Sequence, residues 1–203
     1  MDYSAFIDIL IDFAEVSIHT ILAERNVYPP DIFTKCQKYG LIVRKSRHPA
    51  LNGYIKDFLM AIRADLQQGS VQKIHIVILD IGSNPIEKFT LRIRDVYDHI
   101  TQQSKQSAMT CITVPECESY FHTLMQKLLF LDTRLGKTPT DCTFELLCEL
   151  AEGKEYPQSY EENVPWVQAE SSIVYIQQSS IMPLKSLDAG IVKVEMVVEK
   201  TRQ

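Results

Sequence analysis

The chain has 203 residues, of which 45% are hydrophobic and 23% charged. These proportions exclude wholesale disorder and a coiled coil. At about 100–200 residues per domain the length allows one domain or two small ones, with a core that needs no disulfide or metal staple. The net charge of -5, from 21 basic and 26 acidic residues, does not suit an autonomous DNA binder, whose affinity rests on neutralising phosphates.

Residues 3–25 read as a helix. Asp8, Asp12, Glu15 and His19 recur at helical spacing as one narrow polar stripe. The surrounding positions are mostly apolar, so this helix is expected to be central and buried on several sides. Tyr28-Pro29-Pro30 ends it. Residues 31–48 read as an irregular basic segment: from Arg25 to Arg47 there are six basic residues and one acid, Asp31. Such a run is either a docking patch for an acidic partner or a solvated loop. Residues 49–68 read as a second helix, with Pro49 in its first turn and Gly69 as its stop. Its apolar stripe is Leu51, Tyr54, Ile55, Phe58, Leu59 and Ile62.

Lys73 to Asp80 is apolar on both faces, as in a central strand. After the turn Gly82-Ser83-Asn84-Pro85, residues 86–94 alternate. Phe89, Leu91 and Ile93 are expected inward, and Lys88, Thr90, Arg92 and Arg94 outward. The two strands read as a hairpin, followed by a polar connection over 95–112. Thr113-Val-Pro-Glu116 is a capping box that starts a third helix, with Gly136 as its stop. Cys142 to Leu150 reads as a strand with Cys142, Phe144, Leu146 and Cys148 on one face. Residues 151–165 turn polar and acidic, as a mobile loop does. The single tryptophan, Trp166, follows. A short strand is expected at 173–177, then a loop containing Pro183, then a strand at 191–199 with Val192, Val194, Met196 and Val198 inward. Strands segregate from helices, so the fold class is α+β.

Five cysteines without CxxC spacing oppose a disulfide framework and a structural zinc site. Asp8 and Asp12 interrupt the apolar N-terminus where a signal peptide would be continuous. The longest uncharged run, Ser171 to Leu184, is too short and polar to span a bilayer. An intracellular, reducing compartment is expected. No phosphate-binding, dinucleotide, metalloprotease, hydrolase or kinase motif occurs. His19 with Cys36 could be a nucleophile pair, or a stripe residue and a small core residue. Asp8, Asp12 and Glu15 could be a metal or acid–base cluster, or a solvated stripe. Without catalytic support, a binding module is the expected class, with no cofactor and no metal.

Seven stretches, in order, resemble the HORMA family: FAEVSIHTILAERNVYPPDIF (13–33), HPALNGYIKD (48–57), VQKIHIVILD (71–80), PIEKF (85–89), CTFEL (142–146), PWVQAE (165–170) and IMPLK (181–185). The HPALNGYI and PIEKF segments look like the branch of accessory subunits of translesion DNA polymerase zeta. The resemblance implies one HORMA domain over 1–203: three helices on an antiparallel sheet as a body (1–150), then a C-terminal safety belt (151–203). The belt pins a partner peptide against a sheet edge. The implied function is a non-enzymatic adaptor in damage bypass, in the nucleus and without direct tight DNA binding. It would capture a proline-containing peptide of the polymerase zeta catalytic subunit and bridge it to the C-terminal domain of a Y-family polymerase. The alternative is a HORMA adaptor in spindle-checkpoint or meiotic-axis signalling.

Site residues carry over by position. Tyr54 and Trp166 match peptide-contacting positions. The residues alone also allow Tyr54 as core and Trp166 as an anchor of the belt. Tyr28 and Lys35 match positions lining the same groove. The second-partner surface falls on Ile181, Glu195 and Val197, where the family carries leucine, glutamine and tyrosine. The position used for HORMA self-association carries His122 in place of arginine.

Overall fold

In the computed structural model, which describes residues 2–95, 113–153, 166–188 and 192–201, the elements run as follows. Helix α1 (Tyr3–Glu24) leads into a 3-10 turn (Pro30–Ile32), then β1 (Phe33–Lys38), β2 (Leu41–Ser46), α2 (Pro49–Ala61) and α3 (Arg63–Gln68). After these come β3 (Val71–Leu79), β4 (Pro85–Asp95), α4 (Val114–Leu129), α5 (Leu131–Leu135) and β5 (Thr143–Leu150). A helical turn α6 (Ser171–Val174) and the strands β6 (Ser179–Asp188) and β7 (Val192–Thr201) complete the chain. The sheet order is β5-β3-β4-β7-β6, with every pair antiparallel. The layout is α+β, as expected.

Asp2 caps α1, its Oδ1 accepting from the Ala5 amide at 2.7 Å. The helix is central: it packs on α2, α3, α4 and β2, and Phe13 stacks on Phe121 of α4 with centroids 4.1 Å apart. Its polar stripe is half-solvated, and its carboxylates are ion-paired. Arg63 donates to Asp8, Lys38 to Asp12 at 2.7 Å and Lys45 to Glu15 at 3.0 Å. His19 is buried. The stripe is therefore a row of ion pairs that fastens α3 and the β1–β2 hairpin to α1.

That hairpin corrects the irregular reading of 31–48. Tyr39 and Gly40, at φ 50° and 70°, make a tight turn of the primed type that hairpins favour. Four of the six basic residues make contacts within the chain: Lys38 and Lys45 pair with α1, Arg47 donates to the Asp31 carbonyl, and Arg25 is wholly buried. Residues 49–68 divide at Ile62 into two helices. Gly69 stops the second in a left-handed conformation, φ 74°.

The third helix starts on the expected capping box. Thr113 N–H donates to Glu116 at 2.8 Å and Glu116 N–H to Thr113 Oγ1 at 3.4 Å. It breaks at Phe130, so Gly136 stops the short α5 instead. At the other end of the chain, 173–177 is not a strand: residues 171–174 form the turn α6. The presumed loop around Pro183 is the strand β6. Proline is tolerated there because β6 is an edge strand with a register shift between Pro183 and Lys185. The expected mobile loop over 151–165 lies mostly outside the described residues, as does the connection over 96–112.

Two strands of the five-stranded sheet thus lie beyond residue 150, and β7 sits between β4 and β6. A buried charge network holds β7 from the helical side. The Arg25 guanidinium grips Glu87 with two bonds, at 2.8 and 2.7 Å, and donates to the Gly136 carbonyl at 2.9 Å and to Asp132. Lys200 of β7 approaches Glu87 at 3.3 Å and donates to the Leu135 carbonyl. Removing one member of such a network strands the others. Arg25→Met should cost about 3–5 kcal/mol in urea unfolding; a loss below 1 kcal/mol contradicts the network's role.

Two buried histidines set a pH response. Burial, the largest cause in both, pushes His19 and His75 down to about 4 from an ordinary 6.5. Both are neutral in the folded chain, while the unfolded chain takes up protons below pH 6.5. Stability should therefore fall as pH drops from about 6.5 to 4, by up to about 1.4 kcal/mol per pH unit for each histidine. Urea midpoints at pH 7.0, 5.5 and 4.5 measure this, and midpoints that stay level contradict it.

Candidate functional site

Strand β5 is one edge of the sheet. The Tyr54 hydroxyl accepts from the Leu146 amide at 3.4 Å, so that N–H points away from β3. Antiparallel pairing alternates, and Phe144 and Cys148 therefore present their backbone groups to the same open side. Such an edge is a template for an added strand.

Against this edge lies an apolar groove of about 410 Å³, lined by Tyr28, Pro29, Ile32, His48, Ala50, Leu51, Tyr54 and Phe144. Local sequence builds it. His48 caps α2 by accepting the Leu51 amide at Nδ1, 3.3 Å away. Leu51, Ile55, Phe58 and Leu59 turn into the core, which leaves Tyr54 on the flank of the helix, 46% exposed. Tyr28 and Tyr54 both set their rings edge-on to Phe144, at 6.1 and 5.8 Å. Partial burial raises both phenols above their ordinary pKa, so both hydroxyls stay neutral at physiological pH.

Trp166 packs on Phe58, with ring centroids 6.1 Å apart, on the helical side of the sheet. Its indole Nε1 is buried with no acceptor among the described residues. Eight residues later the chain is on the opposite face, where the Val174 carbonyl accepts from Lys88 at 2.9 Å and α6 packs on β4. An extended chain advances about 3.3–3.6 Å per residue, so only the near edge of the sheet is within reach. The segment therefore passes around β5. It covers the outer face, where Lys88 and Thr90, expected outward, are buried together with Val77 and Val197.

The structure thus brings Tyr28, Tyr54 and Trp166 to one edge. Lys35 is exposed on β1 opposite Arg44 and does not line the groove. Ile181 is 63% exposed on β6, and Glu195 faces Arg92 at 3.8 Å. Val197, matched to the same partner surface, is 3% exposed on β7, so its side chain is not open in this structure. His122 is partly buried, with Nδ1 2.6 Å from the Tyr39 carbonyl, so the ring secures the β1–β2 turn. Among the described residues, neither His19 ring nitrogen has a hydrogen-bond partner, so His19 and Cys36 are not paired, and no cluster of three metal-ligating side chains exists. Phe144, Leu51 and Pro29 were missed as groove residues; the first two read as core in a sequence, and Pro29 reads as the end of the first helix.

Comparison with known proteins places this geometry. Residues 7–185 match the HORMA domain family. The chain is 32% identical over 196 residues to the Homo sapiens mitotic spindle assembly checkpoint protein MAD2B, covering 95% of this chain and 90% of that protein. It is 31% identical over 198 residues to the DNA polymerase zeta processivity subunit of Schizosaccharomyces pombe, covering 96% and 92%. A chain of a mitotic checkpoint complex crystal structure superposes with TM-score 0.79 at 18% identity, covering 98% of this chain and 99% of that one. The C. elegans protein HTP-2, solved bound to a HIM-3 closure motif, superposes with TM-score 0.75 at 14% identity, covering 100% and 92%. The fold is the HORMA fold.

The exposed Tyr54 and the unsatisfied Trp166 should matter more for binding than for folding. Trp166→Ala should weaken an edge-bound peptide at least tenfold, since interface tryptophans can contribute ~2 kcal/mol or more. Tyr54→Ala should weaken it similarly while leaving the thermal midpoint nearly unchanged. Fluorescence anisotropy with a labelled peptide measures both; unchanged affinity in both variants sinks the site.

Proposed function

We propose a function on the premise that the chain belongs to the HORMA-domain family: it is a non-catalytic adaptor that captures a short proline-containing peptide of the catalytic subunit of DNA polymerase zeta. The observation that carries this is the open edge of β5, flanked by an aromatic groove and crossed by the chain between Trp166 and Val174. An extended peptide laid on β5 gains main-chain bonds from the edge and apolar contacts from Tyr28, Tyr54 and Phe144. The segment passing outside it converts binding into enclosure. Release then requires part of the fold to open, so affinity appears as a slow off-rate. In this reading the body is 1–150 and the belt 151–203.

The relatives' names support two settings. The polymerase zeta subunit of Schizosaccharomyces pombe favours a role with that polymerase, which we assign to damage bypass in the nucleus, and the spindle-checkpoint names favour a checkpoint role. In the first setting the adaptor also bridges to the C-terminal domain of a Y-family polymerase. The exposed Ile181 on the free edge strand β6 is the residue that supports such a contact. DNA is reached through the polymerase, in keeping with the net charge of -5 and the intramolecular pairing of Arg25, Lys38 and Lys45.

Titration of the full chain with labelled peptides from the zeta catalytic subunit, a checkpoint protein and an axis protein separates the settings. Sub-micromolar binding with slow release is expected for the first alone. Preference for either other peptide would move the protein to that pathway. No binding to any of them would remove the capture reading. A labelled oligonucleotide should bind only weakly at physiological ionic strength.

A further inference from the structure

We propose that Lys88 is a positioning residue: it tethers the crossing segment of the belt at Val174 and so sets how long an enclosed peptide is held. This rests on the capture reading above and adds the element that regulates it.

Lys88 is 7% exposed, and lysines are seldom so buried unless their charge is paired. Its ammonium has two partners. Glu199 Oε1 lies at 3.1 Å, directly across the β4–β7 pairing. The Val174 carbonyl accepts from it at 2.9 Å. The first partner belongs to the sheet. The second belongs to the chain passing over it, at the end of a single helical turn whose last carbonyls lack partners within the turn. The lysine therefore joins the crossing segment to the sheet through a charged hydrogen bond in a site with little water, where such bonds are strong.

The preceding residue shows why the tether is specific. Glu87 points to the helical side and takes Arg25 and Lys200. Consecutive residues of β4 thus hold β7 from opposite faces, and Lys88 alone of the two reaches the crossing segment. Lys88 does not line the peptide groove, so its influence on a captured peptide runs through the belt. Until the bond to Val174 breaks, the crossing segment stays anchored on β4.

The test compares wild type, Lys88→Met and Lys88→Arg in the full chain. Two readouts are used: the off-rate of the labelled zeta-subunit peptide, and amide exchange of Ile173, Val174 and Tyr175 without peptide. Lys88→Met should raise the off-rate about tenfold or more, as loss of a charged hydrogen bond warrants, with a smaller change in on-rate. It should speed exchange at the three amides while that of α1 and α4 stays level. Lys88→Arg, which keeps the charge and the donors, should recover most of both effects. Lys88→Gln gives the same contrast where Lys88→Met melts below the assay temperature. Unchanged exchange and off-rate in a folded Lys88→Met or Lys88→Gln protein overturn the tether. Exchange on the free chain reads the tether without peptide, so a wild type that captures nothing removes the capture reading alone.

Discussion

An antiparallel edge strand leaves every second residue with a backbone donor and acceptor that have no ladder partner. In β5 one of those donors, the Leu146 amide, is met by the Tyr54 hydroxyl. The rest of the site is built around the others. Helix α2 supplies the flank, Tyr28 and Phe144 the apolar wall, and the segment from Trp166 to Val174 the outer barrier. A proline-containing strand suits this edge, because half of its main-chain donors face away from the sheet and a missing N–H there loses no ladder bond.

Charge is spent inside the molecule to a degree that its surface composition conceals. The acidic stripe of α1 holds a hairpin and a helix, and Glu87 and Lys88 fix β7 from the two faces of the sheet. The C-terminal region is therefore more than a strap laid over a finished body. β7 contributes Val192, Val194, Met196 and Val198 to the core, and the cover beyond β5 buries a face that would otherwise be wet. In the proposed capture, release and folding would share the same strands, which is why enclosure of a peptide would be slow to reverse.

Much of the scaffold was legible in the sequence. Helix α1, the β3–β4 hairpin, the capping box and β7 follow from period and punctuation. The β1–β2 hairpin was not legible, because Tyr39-Gly40 is a weak turn signal and the basic residues draw attention from the short apolar run Leu41-Ile42-Val43. Pro183 hid β6, since a proline reads as a loop unless the strand is known to be at an edge. Part of the outer face was misread for a related reason: Lys88 and Thr90 alternate like exposed residues but are buried, as is Val197, which family resemblance placed at a partner surface. Tyr54 and Trp166 were placed by family resemblance. Helical spacing alone would have put Tyr54 in the core, and its exposure of 46% shows that the stripe is one position narrower than it looked.

The most direct test is residue-resolved amide exchange along β5, with and without saturating zeta-subunit peptide. The amides of Glu145 and Leu147 face β3 and should be protected in both states. Those of Phe144 and Cys148 face the open edge and should become protected only when the peptide is present. Unchanged exchange at Phe144 and Cys148 under saturating peptide would contradict strand addition at this edge.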